Sequence, residues 1–190
     1  ALARQIGVLH ERVAPAGALQ PTEGPKIGEL TKTAMLTALD GTAVSVGGVN
    51  ESGRSTFVLF VSPTCPVCKS LVPTAKSLAR KETSRLDLVF ASDGDSRDKH
   101  IAYAKDAGLD DYPYVLSESL GMSYQVSKLP FAVLISADGT LQSKGLVNTR
   151  EHLESLVEAM DTGYATLQDY VRDAAPLEST NDTPVKESMS

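Results

Sequence analysis

The chain has no tryptophan, only two cysteines and only three histidines among 190 residues. Two cysteines with two residues between them cannot form the framework of a disulfide-stapled secreted scaffold, so their chemistry is local. The histidines, His10, His100 and His152, are scattered, with no thiol or carboxylate at catalytic spacing, and read as solvated surface groups. Net charge is -6, and no run of Lys and Arg is dense enough to neutralise phosphates, which removes nucleic acid from the candidate partners. No apolar run is long enough to span a bilayer, and no signal peptide is visible. What remains is a chain of one-domain size whose 42% hydrophobic content suffices for a core.

Residues 1–26 read as a helix remnant and a linker. The chain starts at Ala1 without Met, and Leu2, Ile6, Leu9 and Val13 recur at helical spacing. That pattern fits either a helix entered partway, with an upstream segment removed, or a short surface helix behind a processed terminus. Ala14 to Gly28 is rich in Pro, Gly and Ala and marks the linker. The folded domain is expected over 27–163. Met35–Leu39 and Ala43–Val46 flank Asp40-Gly41, a hairpin signal expected to supply positive φ angles. Phe57–Val61 is a continuous apolar run of the kind buried on both faces of a central strand. After Cys65, the positions Cys68, Leu71, Val72, Ala75 and Leu78 repeat at helical spacing as far as about Lys81.

A second buried-type strand follows over Leu86–Ala91, then a helix over Ser96–Ala107 closed by Gly108. Phe131–Ser136 and Leu141–Val147 are strands joined by Ala137-Asp138-Gly139-Thr140, and Arg150–Met160 is a closing helix. Parallel strands first and an antiparallel pair last give an α/β fold, one mixed central sheet flanked by helices with an N-terminal β-hairpin added. The extension, 164–190, holds a short helix at Tyr164–Asp173 and then a disordered tail rich in Ser, Thr, Asp, Glu and Pro.

The cysteines fall at a strand-to-helix junction. Pro66 suits the first helical position, where a missing amide hydrogen is harmless, so Cys65 falls at or next to the N-cap. There the unsatisfied amides and the helix dipole favour a thiolate, which makes Cys65 the nucleophile. Cys68 lies one turn on, close enough to close a Cys65–Cys68 disulfide and to act as the shielded resolving thiol. Pro66 and Val67 add neither charge nor side-chain donor, which points to an intermediate redox potential.

Cys65-Pro66-Val67-Cys68-Lys69 followed by Pro73 resembles the CxxCKxxxP signature of thioredoxins, and Lys128-Leu129-Pro130 before a strand resembles their cis-proline loop. The likeness runs from Ile27 to about Met160 and implies a thioredoxin fold and thiol:disulfide oxidoreductase activity without a cofactor or metal. It also implies that Pro130 is cis, that the Leu129 backbone meets an extended substrate, and that Thr64, Pro66 and Val67 border the same site. Two departures stand out. Thr64 occupies the place of the usual Trp, and Leu59 that of the buried acid that relays protons, so the proton acceptor is unassigned. The two hairpins make the chain more similar to the extracytoplasmic TlpA-like and ResA-like branch. Within it, the Arg4–Arg12 start, the Ser62–Cys68 centre and the Asp161–Tyr170 extension resemble the MauD family of methylamine-utilisation accessory proteins. That resemblance implies a periplasmic enzyme tethered by an N-terminal helix absent here. It implies as partners the disulfide-rich small subunit of methylamine dehydrogenase and a further, unidentified redox protein.

Rival readings are weaker on the residues. Zinc wants four ligands, and no second Cys pair exists. A Cu(I) chaperone would use both thiolates but adds a Met or His nearby, which the sequence does not place. A peroxiredoxin-like peroxidase draws on Ser62, three residues before Cys65, but has Val58 where those enzymes carry a proline.

Overall fold

The computed structural model describes residues 24–94 and 96–162. In chain order these contain β1 (Ala34–Thr37), β2 (Ala43–Val46), β3 (Ser55–Phe60), α1 (Pro66–Lys81), β4 (Leu86–Ser92) and α2 (Arg97–Asp106). There follow β5 (Tyr114–Leu116), α3 (Glu118–Ser123), β6 (Phe131–Ile135), β7 (Leu141–Leu146) and α4 (Arg150–Thr162). Five strands form one mixed sheet in the order β5-β4-β3-β6-β7, and β1 and β2 pair as a separate two-stranded sheet. Strand β3 runs parallel to β4 and antiparallel to β6, and its unbroken apolar sequence suits a central strand buried on both faces.

Alternation along β3 divides the core into two layers. Phe57 and Leu59 face one side with Leu88, Phe90 and Leu134, and meet Cys68, Leu71, Val72 and Ala75 of α1 and Leu153 and Val157 of α4. Val58 and Phe60 face the other side with Val89 and Val133, under Val44 and Val46 of the hairpin and Leu120 of α3. The hairpin therefore covers the sheet face that α1 leaves open. Helix α2 ends in a Schellman-type stop: Gly108 takes φ +61° and the Leu109 amide reaches back to the Ala104 carbonyl at 2.8 Å.

Several expectations need correction. The turn after β1 is not a two-residue turn with both residues at positive φ. Strand β1 stops at Thr37, Gly41 alone of the Asp40-Gly41 pair has positive φ, and the Asp40 carboxylate instead accepts the Thr42 amide at 2.9 Å. Strand β5 and helix α3 have no counterpart in the sequence reading. Tyr114–Leu116 is too short to show alternation and follows Pro113, yet it adds in parallel to β4. Packing also begins before Ile27, since Gly24 is buried and the Pro25 carbonyl accepts the Lys144 ammonium at 3.0 Å. The N-terminal helix pattern, the Tyr164–Asp173 helix and the acidic tail lie outside the described residues.

Candidate active site

Between the end of β3 and the start of α1 the chain makes a β-turn. Val61 is fully buried and still tied to the sheet, its amide donating to the Ala91 carbonyl at 2.9 Å. The Ser62 carbonyl then accepts the Cys65 amide at 3.1 Å, with Pro63 in the second position of the turn, where its fixed φ suits. The Ser62 hydroxyl accepts the Thr64 amide at 3.3 Å and lies 3.0 Å from the Thr64 hydroxyl.

Cys65 is the N-cap of α1, with φ -93° and ψ 108°, and Pro66 opens the helix. Its sulfur accepts the Cys68 amide at 3.1 Å, the bond that Ser, Thr or Asp makes at other helix starts. Cys65 and Cys68 are joined as a disulfide with their Cα atoms 5.3 Å apart. Cys68 has no exposed surface, whereas Cys65 is half-buried and its neighbours Thr64, Pro66 and Val67 are exposed. One sulfur therefore faces outward and the other is sealed by Leu59, Leu71 and the rest of that core layer.

The Leu129–Pro130 peptide is cis. Pro130 is buried, its carbonyl accepts the Val147 amide at 3.1 Å, and Leu129 packs against both core layers. Because Phe131 of β6 pairs with Phe60 of β3, the register sets Pro130 beside Val61 at the end of the sheet from which α1 starts. Fold topology thus gathers Thr64, Cys65, Pro66, Val67 and Cys68 on one loop and helix turn, and brings Leu129 and Pro130 to the same end of the sheet.

Leu59 is fully buried in the layer that holds Cys68, and no Asp or Glu is buried among the described residues. Among those residues no group of three or more His, Cys, Asp or Glu side chains is placed to hold a metal ion. A cavity of about 750 Å³ lined by Thr42, Asn50, Thr56, Asp87 and Tyr112 lies at the other end of β3, away from the cysteines.

His100 departs from its sequence reading. It is buried between α2 and β5, 1% exposed, with its Nδ1 2.7 Å from the Tyr114 hydroxyl. A helix with so weak an apolar pattern gave no signal that this face turns inward. His152 is exposed, and its Nδ1 accepts the Asn148 amide at 3.2 Å. His10 lies outside the described residues. The Ser62 hydroxyl, absent from the sequence expectations for the exchange site, has a local signal of its own, since Ser-Pro-Thr is a turn signature with a side-chain acceptor in first position.

Comparison with known proteins agrees with this geometry. Residues 53–141 match the family model described as thioredoxin-like. The chain is 44% identical to the methylamine utilization protein MauD of Methylobacillus flagellatus, over 89% of this chain and 81% of that protein. It is also 44% identical to MauD of Paracoccus versutus, over 90% of this chain and 84% of that protein. The chain belongs to the MauD family. Among solved structures, StoA from Bacillus subtilis shares the fold with a TM-score of 0.56 at 21% identity, over 67% of this chain and 97% of StoA. A secreted Mycobacterium tuberculosis disulfide oxidoreductase, homologous to E. coli DsbE, has a TM-score of 0.54 at 19% identity, over 66% of this chain and 95% of that one. This MauD-family chain is a thioredoxin-like thiol:disulfide oxidoreductase that carries its CxxC pair as Cys65 and Cys68.

Proposed function

We propose that Cys65 is the attacking thiol and Cys68 the resolving thiol in disulfide exchange with a protein client. We further propose that the client is the small subunit of methylamine dehydrogenase, folding in the periplasm, with this enzyme held at the inner membrane. The observation that carries the mechanism is the asymmetry of the pair: Cys65 caps a helix at the surface and Cys68 has no exposed surface. The relatives' name, methylamine utilization protein, supports the client.

In the reducing direction the Cys65 thiolate attacks one sulfur of a client disulfide, forming a mixed disulfide and releasing one client thiolate. Cys68, once deprotonated, attacks the Cys65 sulfur, so the second client thiolate leaves and the Cys65–Cys68 disulfide forms. The client gains two electrons and the enzyme loses two. The reverse sequence oxidises or, by partial reversal, isomerises the client. Helix-end amides stabilise the Cys65 thiolate whenever it is the attacking or departing group. Thr64, Pro66, Val67 and the Leu129 backbone, presented by the cis bond to buried Pro130, form the surface that an extended client segment meets.

Trapping tests the reading. With Cys68→Ser nothing can resolve the mixed disulfide, so client proteins should accumulate on Cys65 and be identified by mass spectrometry after non-reducing electrophoresis. Cys65→Ser should trap none. Recovery of the dehydrogenase small subunit as the dominant adduct supports the client, and equal trapping by Cys65→Ser defeats the mechanism.

A further inference from the structure

The turn that presents Cys65 carries more hydrogen bonds at one residue than a simple connection needs. Ser62 accepts twice: its carbonyl takes the Cys65 amide and its hydroxyl takes the Thr64 amide. A hydroxyl has one proton and two lone pairs, so the remaining capacity of Ser62 meets the Thr64 hydroxyl 3.0 Å away. Pro63, between them, has no amide to satisfy. Both backbone amides of the turn are thus held by Ser62, one by its carbonyl and one by its hydroxyl, and that residue follows Val61, which is pinned to the sheet.

We propose that Ser62 is a positioning residue for disulfide exchange, its hydroxyl holding the turn that keeps the Cys65 sulfur on the first-turn amides of α1 after the disulfide opens. This rests on the assignment of Cys65 as attacking thiol. While Cys65 and Cys68 are bonded, the covalent link itself keeps Cys65 at the N-cap. Reduction removes that link. What remains is the ring of Pro66, the Cys68 amide on the Cys65 sulfur, and the Ser62 turn. The serine hydroxyl therefore matters more to the reduced protein than to the oxidised one, which distinguishes a role in the redox reaction from a role in folding.

Removing one neutral hydrogen bond of this kind changes an equilibrium by about two- to tenfold. Ser62→Ala should slow alkylation of reduced Cys65 at pH 7 by about that factor and move the midpoint of its alkylation pH profile upward. It should also shift the redox equilibrium with glutathione by about two- to tenfold toward the disulfide, because the reduced form is the one weakened. Ser62→Thr keeps the hydroxyl and should restore both readouts to within about twofold. Melting of the oxidised protein reports the folding contribution separately.

The wild type serves as the control on the underlying assignment. If peptide mapping shows Cys68 alkylated first in wild type, the attacking-thiol reading fails and this proposal with it. If Cys65 leads in wild type but Ser62→Ala leaves the pH profile and the glutathione equilibrium unmoved, the proposal alone is overturned. Equal loss of melting temperature in oxidised and reduced Ser62→Ala, with both readouts unmoved, overturns it too.

Discussion

The backbone amide of Cys68 donates to the Cys65 sulfur at 3.1 Å, while the Cys68 sulfur is enclosed by core residues and has no exposed surface. The same residue thus supplies a donor to the outer sulfur and hides the inner one. Helix geometry makes the two effects inseparable: N-cap and N3 are one turn apart, so a side chain at N-cap meets the N3 amide, and the N3 side chain of an inward-facing helix enters the core.

In reduced protein, iodoacetamide should therefore react with Cys65 faster than with Cys68 by a factor on the order of ten or more, since both access and thiolate stabilisation favour the outer residue. Peptide mapping after brief alkylation at several pH values measures this. Comparable labelling of both cysteines would remove the distinction between attacking and resolving thiols.

Much of this site was legible in the sequence because each part has its own local signal. The unbroken Phe57–Val61 run predicts the central strand, Pro66 predicts the helix start, and the three-residue spacing sets both cysteines on one turn; β3 and α1 fall where these signals put them. The approach of Leu129-Pro130 to that end of the sheet came from family resemblance, since Pro130 lies 62 positions after Cys68 (130 minus 68) and no spacing rule spans that distance. Features that depend on tertiary packing were lost. Strand β5 is held by its pairing with β4 and by Val115 bridging Ala38, not by a pattern of its own. His100 is buried because α2 lies against Tyr114, a contact set by the β4-α2-β5 crossover.

Gln125 offers a test of backbone strain. It follows α3 with φ +60°, the one non-glycine residue at positive φ among those described. Its amide donates to the Met122 carbonyl, and the Val126 amide reaches the Gly121 carbonyl at 2.9 Å, so the left-handed residue is what closes the helix. Glycine adopts that conformation without the Cβ clash. Gln125→Gly should stabilise the oxidised protein by about 0.5–1 kcal/mol, after allowance for the added freedom of the unfolded chain. A rise in the urea midpoint with unchanged slope would show it, and a fall would mean that side-chain contacts of Gln125 outweigh the strain.

Two buried tyrosines that touch each other, ring centroids 6.2 Å apart, should respond oppositely to loss of their hydroxyls. The Tyr114 hydroxyl bonds His100 Nδ1 at 2.7 Å, so Tyr114→Phe should destabilise by about 1–3 kcal/mol. The Tyr103 hydroxyl is buried and has no hydrogen-bond partner among the described residues, so Tyr103→Phe should be neutral or stabilising by up to about 1 kcal/mol at neutral pH. Burial pushes the Tyr103 hydroxyl up to about 12, against about 10 in an unfolded chain. Below about pH 10 both states keep the proton, and this group adds no pH dependence. Between about 10 and 12 the unfolded chain gives up its proton while the folded one holds it, so stability falls as pH rises through that window. Tyr114, raised in the same direction by burial first and by Tyr103 second, adds to the decline in both proteins. Tyr103→Phe deletes its own share, so its advantage over wild type should widen from pH 9 to pH 11.5. Urea midpoints of the oxidised proteins across that range measure the difference; parallel curves would show that the Tyr103 hydroxyl is not held in its neutral form by the fold.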